Sequence, residues 1–238
     1  MKVKALTYNL LFNKALPMIE NEIRREKPDI IFFQEIALDT AHFEKIESLG
    51  YNLADFSISF RRGKNVFGVA TFYRPNRLEL TKTQSFSLPS SLYQQLIYVL
   101  QQKKSPRTVL KTVFKTRSED LLIAYNIHLT PVALNGLRMK QMYNTFEDLH
   151  LHTKHAIIIA GDFNYPYGRK KLESVLEEYK LKEATHNISH THEHNILYIA
   201  KIKLKLDYIL YKNLKLTETR RLEIKHSDHY PILSTFDM

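Results

Sequence analysis

Seven short apolar segments, rich in isoleucine, valine, phenylalanine and tyrosine, recur along the chain. Segments of this length and composition, bounded by polar residues, are typical of β-strands. Two of them, residues 30–33 and 157–160, are apolar at every position, which predicts strands that are covered on both faces. The predicted strands are residues 3–8, 29–34, 66–73, 121–128, 156–161, 206–211 and 230–236.

Helical periodicity occupies the stretches between the predicted strands. Apolar side chains recur every three or four positions over residues 12–23, and Pro28 ends that pattern. Two further stripes, residues 134–149 and 172–179, repeat the spacing, and we expect all three to pack against the core. Alternating strands and helices predict a layered α/β fold, and the lack of a repeat or linker predicts a single domain over residues 1–238.

Two stretches depart from this pattern. Residues 85–117 are polar and basic, which predicts a surface excursion with one helix at residues 91–102. Residues 185–195 form a histidine-rich loop, and its alternate spacing is more typical of an exposed strand or loop than of a zinc site. The histidines of this loop are His186, His190, His192 and His194.

Positive charge dominates the chain, with 35 lysine and arginine residues against 25 aspartate and glutamate residues, a formal net charge of +10. Such a field attracts polyanions, whether nucleic acid, anionic membrane surfaces or phosphorylated small molecules. The absence of cysteine excludes disulfide partners and thiolate chemistry. No apolar stretch approaches the ~20 residues of a membrane span, and we expect a cytoplasmic monomer.

Acidic side chains flank the most apolar of the predicted strands. Strand ends are where open α/β sheets place their ligand-binding groups. Each motif alone fits a cap or a turn, but together they place several carboxylates where burial requires a cation or hydrogen bonds. The four motifs are Gln34-Glu35, Gly161-Asp162-Phe163-Asn164, Leu206-Asp207-Tyr208 and Ser227-Asp228-His229.

The order of these motifs along the chain indicates a family. With Tyr8-Asn9 before them, His128-Leu129-Thr130 among them and Tyr230-Pro231 after them, they resemble the endonuclease/exonuclease/phosphatase superfamily. The resemblance implies a four-layer α/β sandwich, in which two packed mixed β-sheets are flanked by helices. It also implies an active site at one end of the sandwich.

The resemblance implies a divalent-metal site and its ligands. Glu35 resembles the principal metal ligand of the family, and Asn9 and Asp228 resemble its neighbours. Hard oxygen ligands of this kind suit Mg²⁺, for which Mn²⁺ can substitute. Whether one or two ions bind stays open.

The resemblance also assigns five catalytic residues. Asp207 resembles the partner that orients the imidazole of His229. Asp162 and Asn164 resemble the pair that positions the attacking water, and His128 lies where the family contacts the phosphate. The general base, Asp162 or His229, stays open.

Substrate contacts are expected around these residues. Arg138 and Gln141 lie one helical turn apart on the polar side of their stripe, and by analogy with the family Arg138 is expected to bind substrate. The histidine-rich loop occupies the place of a substrate-lining loop in the family. Because the chain has no tryptophan, stacking on a base would use a histidine or one of three tyrosines, Tyr165, Tyr167 and Tyr198.

These features favour a Mg²⁺-dependent phosphodiesterase, foremost a nuclease or DNA-end-processing enzyme. A phospholipid or inositol-phosphate hydrolase is the alternative, and an apolar membrane-docking loop, which the sequence does not clearly show, would favour it. A non-catalytic nucleic-acid-binding module is a further alternative. The basic residues expected to follow a nucleic-acid backbone are Lys103, Lys104, Arg107, Lys111 and Lys115.

Overall fold

Two mixed six-stranded β-sheets pack face to face, and helices cover the outer face of each. The computed structural model describes residues 1–90, 107–196, 200–224 and 226–238. The helix predicted at residues 91–102 lies outside the described residues.

The first sheet contains both ends of the chain. Its strand order is β13-β14-β1-β2-β4-β3, in which β1 and β2 are parallel and the other neighbours are antiparallel. The strands are β1 (Lys2–Asn9), β2 (Ile30–Ala37), β3 (Asn52–Arg62), β4 (Asn65–Tyr73), β13 (Lys215–Arg221) and β14 (Ile232–Asp237).

The second sheet is built in the same way around one parallel pair. Its order is β5-β6-β7-β8-β12-β9, and β7 and β8 are parallel. The strands are β5 (Leu78–Ser87), β6 (Thr108–Thr116), β7 (Leu121–His128), β8 (Ala156–Asp162), β9 (Lys182–Glu183) and β12 (Asp207–Lys212). A separate hairpin consists of β10 (His192–Ile196) and β11 (Ala200–Leu204).

Four α-helices among the described residues complete the layers. Helices α1 (Leu16–Glu26) and α2 (Thr40–Glu47) pack on the first sheet, and α3 (Asn135–Glu147) and α4 (Arg169–Glu178) pack on the second. A 3₁₀ turn, Asp148–His152, follows α3. This arrangement confirms the four-layer α/β sandwich. In the part of the chain that the structure describes, no helix is long and apolar enough to cross a membrane.

The layer between the sheets changes from apolar to polar towards one end. Ile30, Phe32 and Ile158 belong to its apolar part. Beyond them, Gln34 Nε2 donates a hydrogen bond of 2.8 Å to Asn126 Oδ1, and Asn126 Nδ2 donates to the carbonyl oxygen of Ala70 at 3.0 Å. Both amides are buried, and their hydrogen bonds connect strands of the two sheets next to the polar end.

The structure corrects the prediction for residues 85–117. Residues 108–116 form strand β6 inside the second sheet, and they are not a surface excursion. Lys111 on this strand is buried and donates to Asp148 Oδ2 at 2.5 Å, so its charge is satisfied inside the protein. The stripe at residues 134–149 also begins later than predicted, since the Leu134 side chain is 82% exposed.

Candidate active site

A row of three polar side chains crosses the second sheet at its polar end. His128 on β7 lies opposite Asp162 on β8, and Asp162 lies opposite Asp207 on β12. Directly opposed residues on neighbouring strands point to the same face of a sheet. All three side chains are buried, so the strand pairing alone brings together the sequence-predicted His128, Asp162 and Asp207.

The glycine before Asp162 permits this close pairing. Gly161 has a φ of +144°, a backbone conformation that residues with a side chain rarely adopt. A Cβ atom at this position would lie 2.0 Å from the carbonyl oxygen of Ile127 on β7. The Gly-Asp motif therefore has a steric reason as well as a chemical one.

A β-bulge directs Glu35 towards the row. The register of β2 against β4 shifts between Gln34 and Ile36, and Glu35 has a φ of +55°. Without the bulge, Glu35 would face the helices, as its alternate neighbour Phe33 does. Instead, Glu35 Oε1 lies 3.8 Å from His128 Nε2.

His229 completes the site from the loop before β14. Its Nδ1 lies 2.8 Å from Asp207 Oδ2, and its Nε2 faces Asp162 Oδ2 at 3.8 Å. Ser227 fixes this loop, because its hydroxyl donates to the carbonyl oxygen of Asn9 and accepts from the His229 amide. The buried hydroxyl of Thr191 in turn accepts from the Asp207 amide at 2.9 Å, a support that no sequence motif indicated.

Asp162 receives hydrogen bonds from two of the predicted site residues. The Asn9 side chain donates to Asp162 Oδ2 at 3.1 Å, and the Asn164 backbone amide donates to Asp162 Oδ1 at 2.9 Å. The Asn164 side chain donates to the carbonyl oxygen of Leu129, which fixes it above β7. These bonds hold the Asp162 carboxylate in one orientation.

Burial and neighbouring charges set the protonation of the site. Burial, and then the Asp162 carboxylate, raises the pKa of Glu35 to about 7. Burial also raises the pKa of Asp162, and His229 offsets only part of that rise. For His229, burial lowers the pKa, but the carboxylates of Asp207 and Asp162 outweigh it and raise the pKa to about 10. Burial and nearby cations hold the pKa of His128 well below its ordinary value, so its ring is neutral.

Unpaired oxygens in the site fit a divalent cation. Glu35 Oε2 and Asp207 Oδ1 are buried without a hydrogen-bond partner, and the Asn9 amide contacts the Glu35 carboxyl. A cation would offset the repulsion between the neighbouring Glu35 and Asp162 carboxylates, and oxygen donors suit Mg²⁺. In the described residues, two triplets of acidic and histidine side chains bring their ligand atoms within 4.8 Å of one another: His192, Asp228 and His229, and Asp162, Asp207 and His229. Glu35 belongs to neither triplet, so the set of Asn9, Glu35 and Asp228 stays a prediction.

Arg138 lies behind the site and not on a polar helix face. It is buried, and its guanidinium donates to the carbonyl oxygen of Thr130 at 2.9 Å and to Asn135 Oδ1 at 2.7 Å. Gln141 is also buried and donates to the Thr130 hydroxyl at 2.9 Å. Both side chains therefore brace the loop after β7, and substrate contact by Arg138 stays a prediction.

Arg107 is a site neighbour that the sequence analysis placed elsewhere. Its Nη1 lies 3.0 Å from His128 Nδ1, and a neutral ring accepts that hydrogen bond. Of the other residues expected to follow a nucleic-acid backbone, Lys111 is buried and Lys115 pairs with Glu119. Lys103 and Lys104 lie outside the described residues.

The histidine-rich loop reaches the site through His192. The Nε2 atom of His192 lies 3.4 Å from Asp228 Oδ2. Burial raises the pKa of Asp228, but His192 and His229 outweigh this effect and lower the pKa to about 2. Among the tyrosines expected to stack on a base, Tyr165 is buried, and Tyr167 is 62% exposed. Tyr198 lies outside the described residues.

Comparisons with known proteins show which family the chain resembles in sequence. Residues 6–229 match the Endonuclease/Exonuclease/phosphatase family. The chain is 28% identical over 133 residues to a UPF0294 protein of Erwinia tasmaniensis, in an alignment that covers 56% of this chain and 47% of that protein. The chain thus spans about half the length of the curated relatives that it matches.

Two solved structures of proteins with different activities have the same fold. One is ANGEL2, a 2′,3′-cyclic phosphatase. Its alignment with this protein covers 99% of this chain and 95% of the ANGEL2 chain, with a TM-score of 0.76 and 14% sequence identity. The other is a mannosyl-6-phosphatase from Bacteroides thetaiotaomicron. The alignment covers 99% of this chain and 100% of the phosphatase chain, with a TM-score of 0.74 and 15% sequence identity. At these identities the likeness extends to the fold alone.

Proposed function

Because the chain belongs to the endonuclease/exonuclease/phosphatase family, we propose that it is a phosphodiesterase that cleaves nucleic acid, DNA foremost. One observation carries the proposal. The buried row of His128, Asp162 and Asp207, with His229 bonded to Asp207, lies at one end of the sandwich in a chain of net charge +10. The family contains phosphohydrolases, and the positive charge favours the polyanionic substrate.

The side chains divide the work of hydrolysis among them. Asp207 fixes the His229 ring through Nδ1, which leaves Nε2–H free to donate to a phosphate oxygen or to the leaving oxygen. Asp162, held by Asn9 and the Asn164 amide, orients the attacking water and accepts its proton. The neutral His128 accepts from an arginine at Nδ1, so its Nε2–H is a second donor towards the phosphate.

A divalent cation, Mg²⁺ or in its place Mn²⁺, would be held by Glu35 with Asn9 and Asp228. When bound, it neutralises charge on the phosphate oxygens. Glu35 is suited to this role because its Oε2 is buried without a hydrogen-bond partner, and because burial and the Asp162 carboxylate raise its pKa to about 7.

Glu35→Gln tests the proposed metal role. The amide is a poor Mg²⁺ ligand of nearly the same shape, so we expect loss of metal-dependent hydrolysis of DNA and of methyl 4-nitrophenyl phosphate. Because the substitution removes a buried charge beside Asp162, the melting temperature without metal should be equal or higher. Glu177→Gln, an exposed change on α4, is the matched control. Full activity of Glu35→Gln at saturating Mg²⁺ would remove Glu35 from the site.

A second candidate function, phospholipid hydrolysis, is favoured by exposed apolar side chains on the rim, by which we mean the loops that directly follow His128 at the end of β7 and Asp162 at the end of β8. Val132 and Leu134, on the loop after β7, are 81% and 82% exposed. Tyr167, on the loop after β8, is 62% exposed, and Asn135 Nδ2 donates to its carbonyl oxygen at 2.7 Å. These exposed apolar side chains support the candidate function, because loops that carry such side chains can enter a membrane interface.

The rim is tested by Val132→Ser with Leu134→Ser. If the substrate is a phospholipid, this variant should lose binding to phosphatidylserine vesicles and hydrolysis of vesicle lipids, while its hydrolysis of a water-soluble diester stays the same. Leu151→Ser, which changes a 75% exposed leucine on the 3₁₀ turn, is the matched control. DNA cleavage by the wild type, with no hydrolysis of vesicle lipids, would leave the nuclease as the proposed function.

A further inference from the structure

The turn between β1 and α1 has an unusual backbone. Leu11, Phe12 and Asn13 have φ values of +47°, +56° and +67°, a left-handed conformation that non-glycine residues disfavour. Side-chain oxygens hold the turn at both ends, because the Leu11 amide donates to Asn9 Oδ1 and the Ala37 amide donates to Asn13 Oδ1. Strain that is held in place in this way is characteristic of functional segments.

The turn places Phe12 in a chain of rings that ends at the active site. Its ring centroid lies 5.8 Å from that of Phe60 and 5.6 Å from that of Phe67. Phe60 in turn lies 6.4 Å from the His128 ring. Phe67 is buried beneath the others, whereas Phe12 and Phe60 are partly exposed. An aromatic surface therefore extends outwards from His128.

Arginine side chains lie over the two partly exposed rings, Phe12 and Phe60. The Arg62 guanidinium carbon is 4.2 Å from the Phe12 centroid, and that of Arg107 is 5.3 Å from the Phe60 centroid. Arg62 is the last residue of β3, next to the β3–β4 turn, and the neighbouring Arg61 and Lys64 are exposed as well. Planar rings, planar guanidinium groups and several cations thus occupy one side of the site.

We propose that Phe12, Phe60, Arg62 and Arg107 form a subsite for an unpaired nucleotide beside the cleaved phosphate. Bases stack on aromatic rings and on guanidinium planes, and their phosphates accept hydrogen bonds from arginine. In a duplex the neighbouring pairs cover the base faces, so the subsite selects single-stranded nucleic acid. A lipid acyl chain would gain from the rings but not from the guanidinium groups over them.

The inference rests on the proposed nuclease function and names its substrate. The aromatic contact is tested with Phe12→Leu, which removes the ring, and Phe12→Tyr, which keeps it. Phe56→Leu is the matched control, because Phe56 is a 42% exposed phenylalanine elsewhere on β3. Arg62→Gln tests the cation, and Arg24→Gln on the exposed face of α1 makes the same change in net charge.

The readout is kcat/KM on a single-stranded oligonucleotide, on the same sequence as a duplex, and on methyl 4-nitrophenyl phosphate. We expect Phe12→Leu and Arg62→Gln each to reduce the ratio of single-strand to small-diester activity by roughly tenfold, as expected for one base stack. Phe12→Tyr, which keeps the ring, should keep the wild-type ratio, and the two control variants should leave it unchanged.

Three results would overturn the inference. An unchanged ratio in Phe12→Leu, with active wild type, would reject the subsite and leave the nuclease function standing. An equal loss on single strand, duplex and small diester would show that the turn only supports the active site. A wild type that hydrolyses the small diester but no oligonucleotide would reject the nuclease function, and the subsite with it.

Discussion

Three backbone departures give the site residues their positions. Glu35 has a φ of +55° at a β-bulge, Gly161 has a φ of +144° inside β8, and Asn164 has a φ of +49° just after β8. The bulge interrupts the regular alternation of β2 and turns Glu35 towards the site, Gly161 allows β7 and β8 to pair closely beside Asp162, and Asn164 follows Asp162 in the first turn of the loop. The cost of each conformation is offset by hydrogen bonds or by close strand pairing around it.

The Asp207–His229 pair is expected to act as one unit. His229→Ala and Asp207→Asn should each lower kcat by about 100-fold or more, with little change in KM, because both disrupt the same proton donor. The double variant should be little worse than His229→Ala, since residues that act together are non-additive. A double-mutant cycle on a small phosphodiester measures this, with His150→Ala as an exposed control. Additive losses would show that Asp207 serves another partner.

At the scale of elements, apolar runs predicted the central strands but missed the edge strand β5 and its neighbour β6. The five central positions of β2, β7 and β8 are nearly all buried, and a run of apolar residues is sufficient to indicate such strands. Strand β5 is mostly polar and exposed with no regular alternation, and β6 carries lysines, so neither strand gives a strong signal in the sequence. Lys111 on β6 is stabilised by Asp148, a partner distant in sequence that no local pattern could indicate.

The site was predictable to a similar depth. Residue types at strand ends indicated Asp162 and Asp207, because a buried carboxylate needs a partner wherever the chain places it. The sequence could not show that Arg138 turns inwards to brace a loop, since helical spacing defines a face and not its partner. Nor could it show that the strained turn brings Phe12 next to Phe60.

Glu183 joins three elements and should control acid stability. Its side chain is 3% exposed and pairs with Lys205 Nζ at 2.6 Å and with Arg169 of α4. Burial raises the pKa of Glu183, but the Lys205 contact outweighs it, so the folded pKa lies below the ordinary value. The charged pair therefore stabilises the fold above pH ~4.5, and this contribution is lost as the pH falls through the lowered pKa.

Glu183→Gln is accordingly expected to lower the free energy of unfolding by about 2 kcal/mol at pH 7, because it leaves Lys205 partly buried without its partner. The loss should shrink as the pH falls below about 4.5 and through the lowered pKa of Glu183, because the wild-type carboxyl then becomes protonated too. Urea unfolding at several pH values measures both effects, with Glu177→Gln as the exposed control. A loss that stays constant from pH 7 down to the acid unfolding of the protein would reject the ion pair as its cause.

At the scale of the molecule, basic residues lie at both ends of the sandwich. Arg107 lies next to His128, and Arg62 lies over Phe12 in the same group of rings. A cavity at the far end of β12 has lysines in its lining, Lys180, Lys182 and Lys212 among them, and its lining includes none of the proposed catalytic side chains. The net charge of +10 is therefore spread over both ends of the sandwich, and its effect on a substrate can be separated into a local part and a general part.

Salt dependence separates these two parts. If the β3–β4 turn contacts phosphates of a single strand, Arg61→Gln with Lys64→Gln should reduce the slope of log K against log salt by about 0.7 for each lost contact. Lys180→Gln with Lys182→Gln makes the same change in net charge at the opposite end and should leave the slope almost unchanged. Binding of a labelled single-stranded oligonucleotide in EDTA, at several salt concentrations, gives both slopes. Equal reductions in the two variants would mean that net charge alone attracts the strand and that the turn makes no phosphate contact.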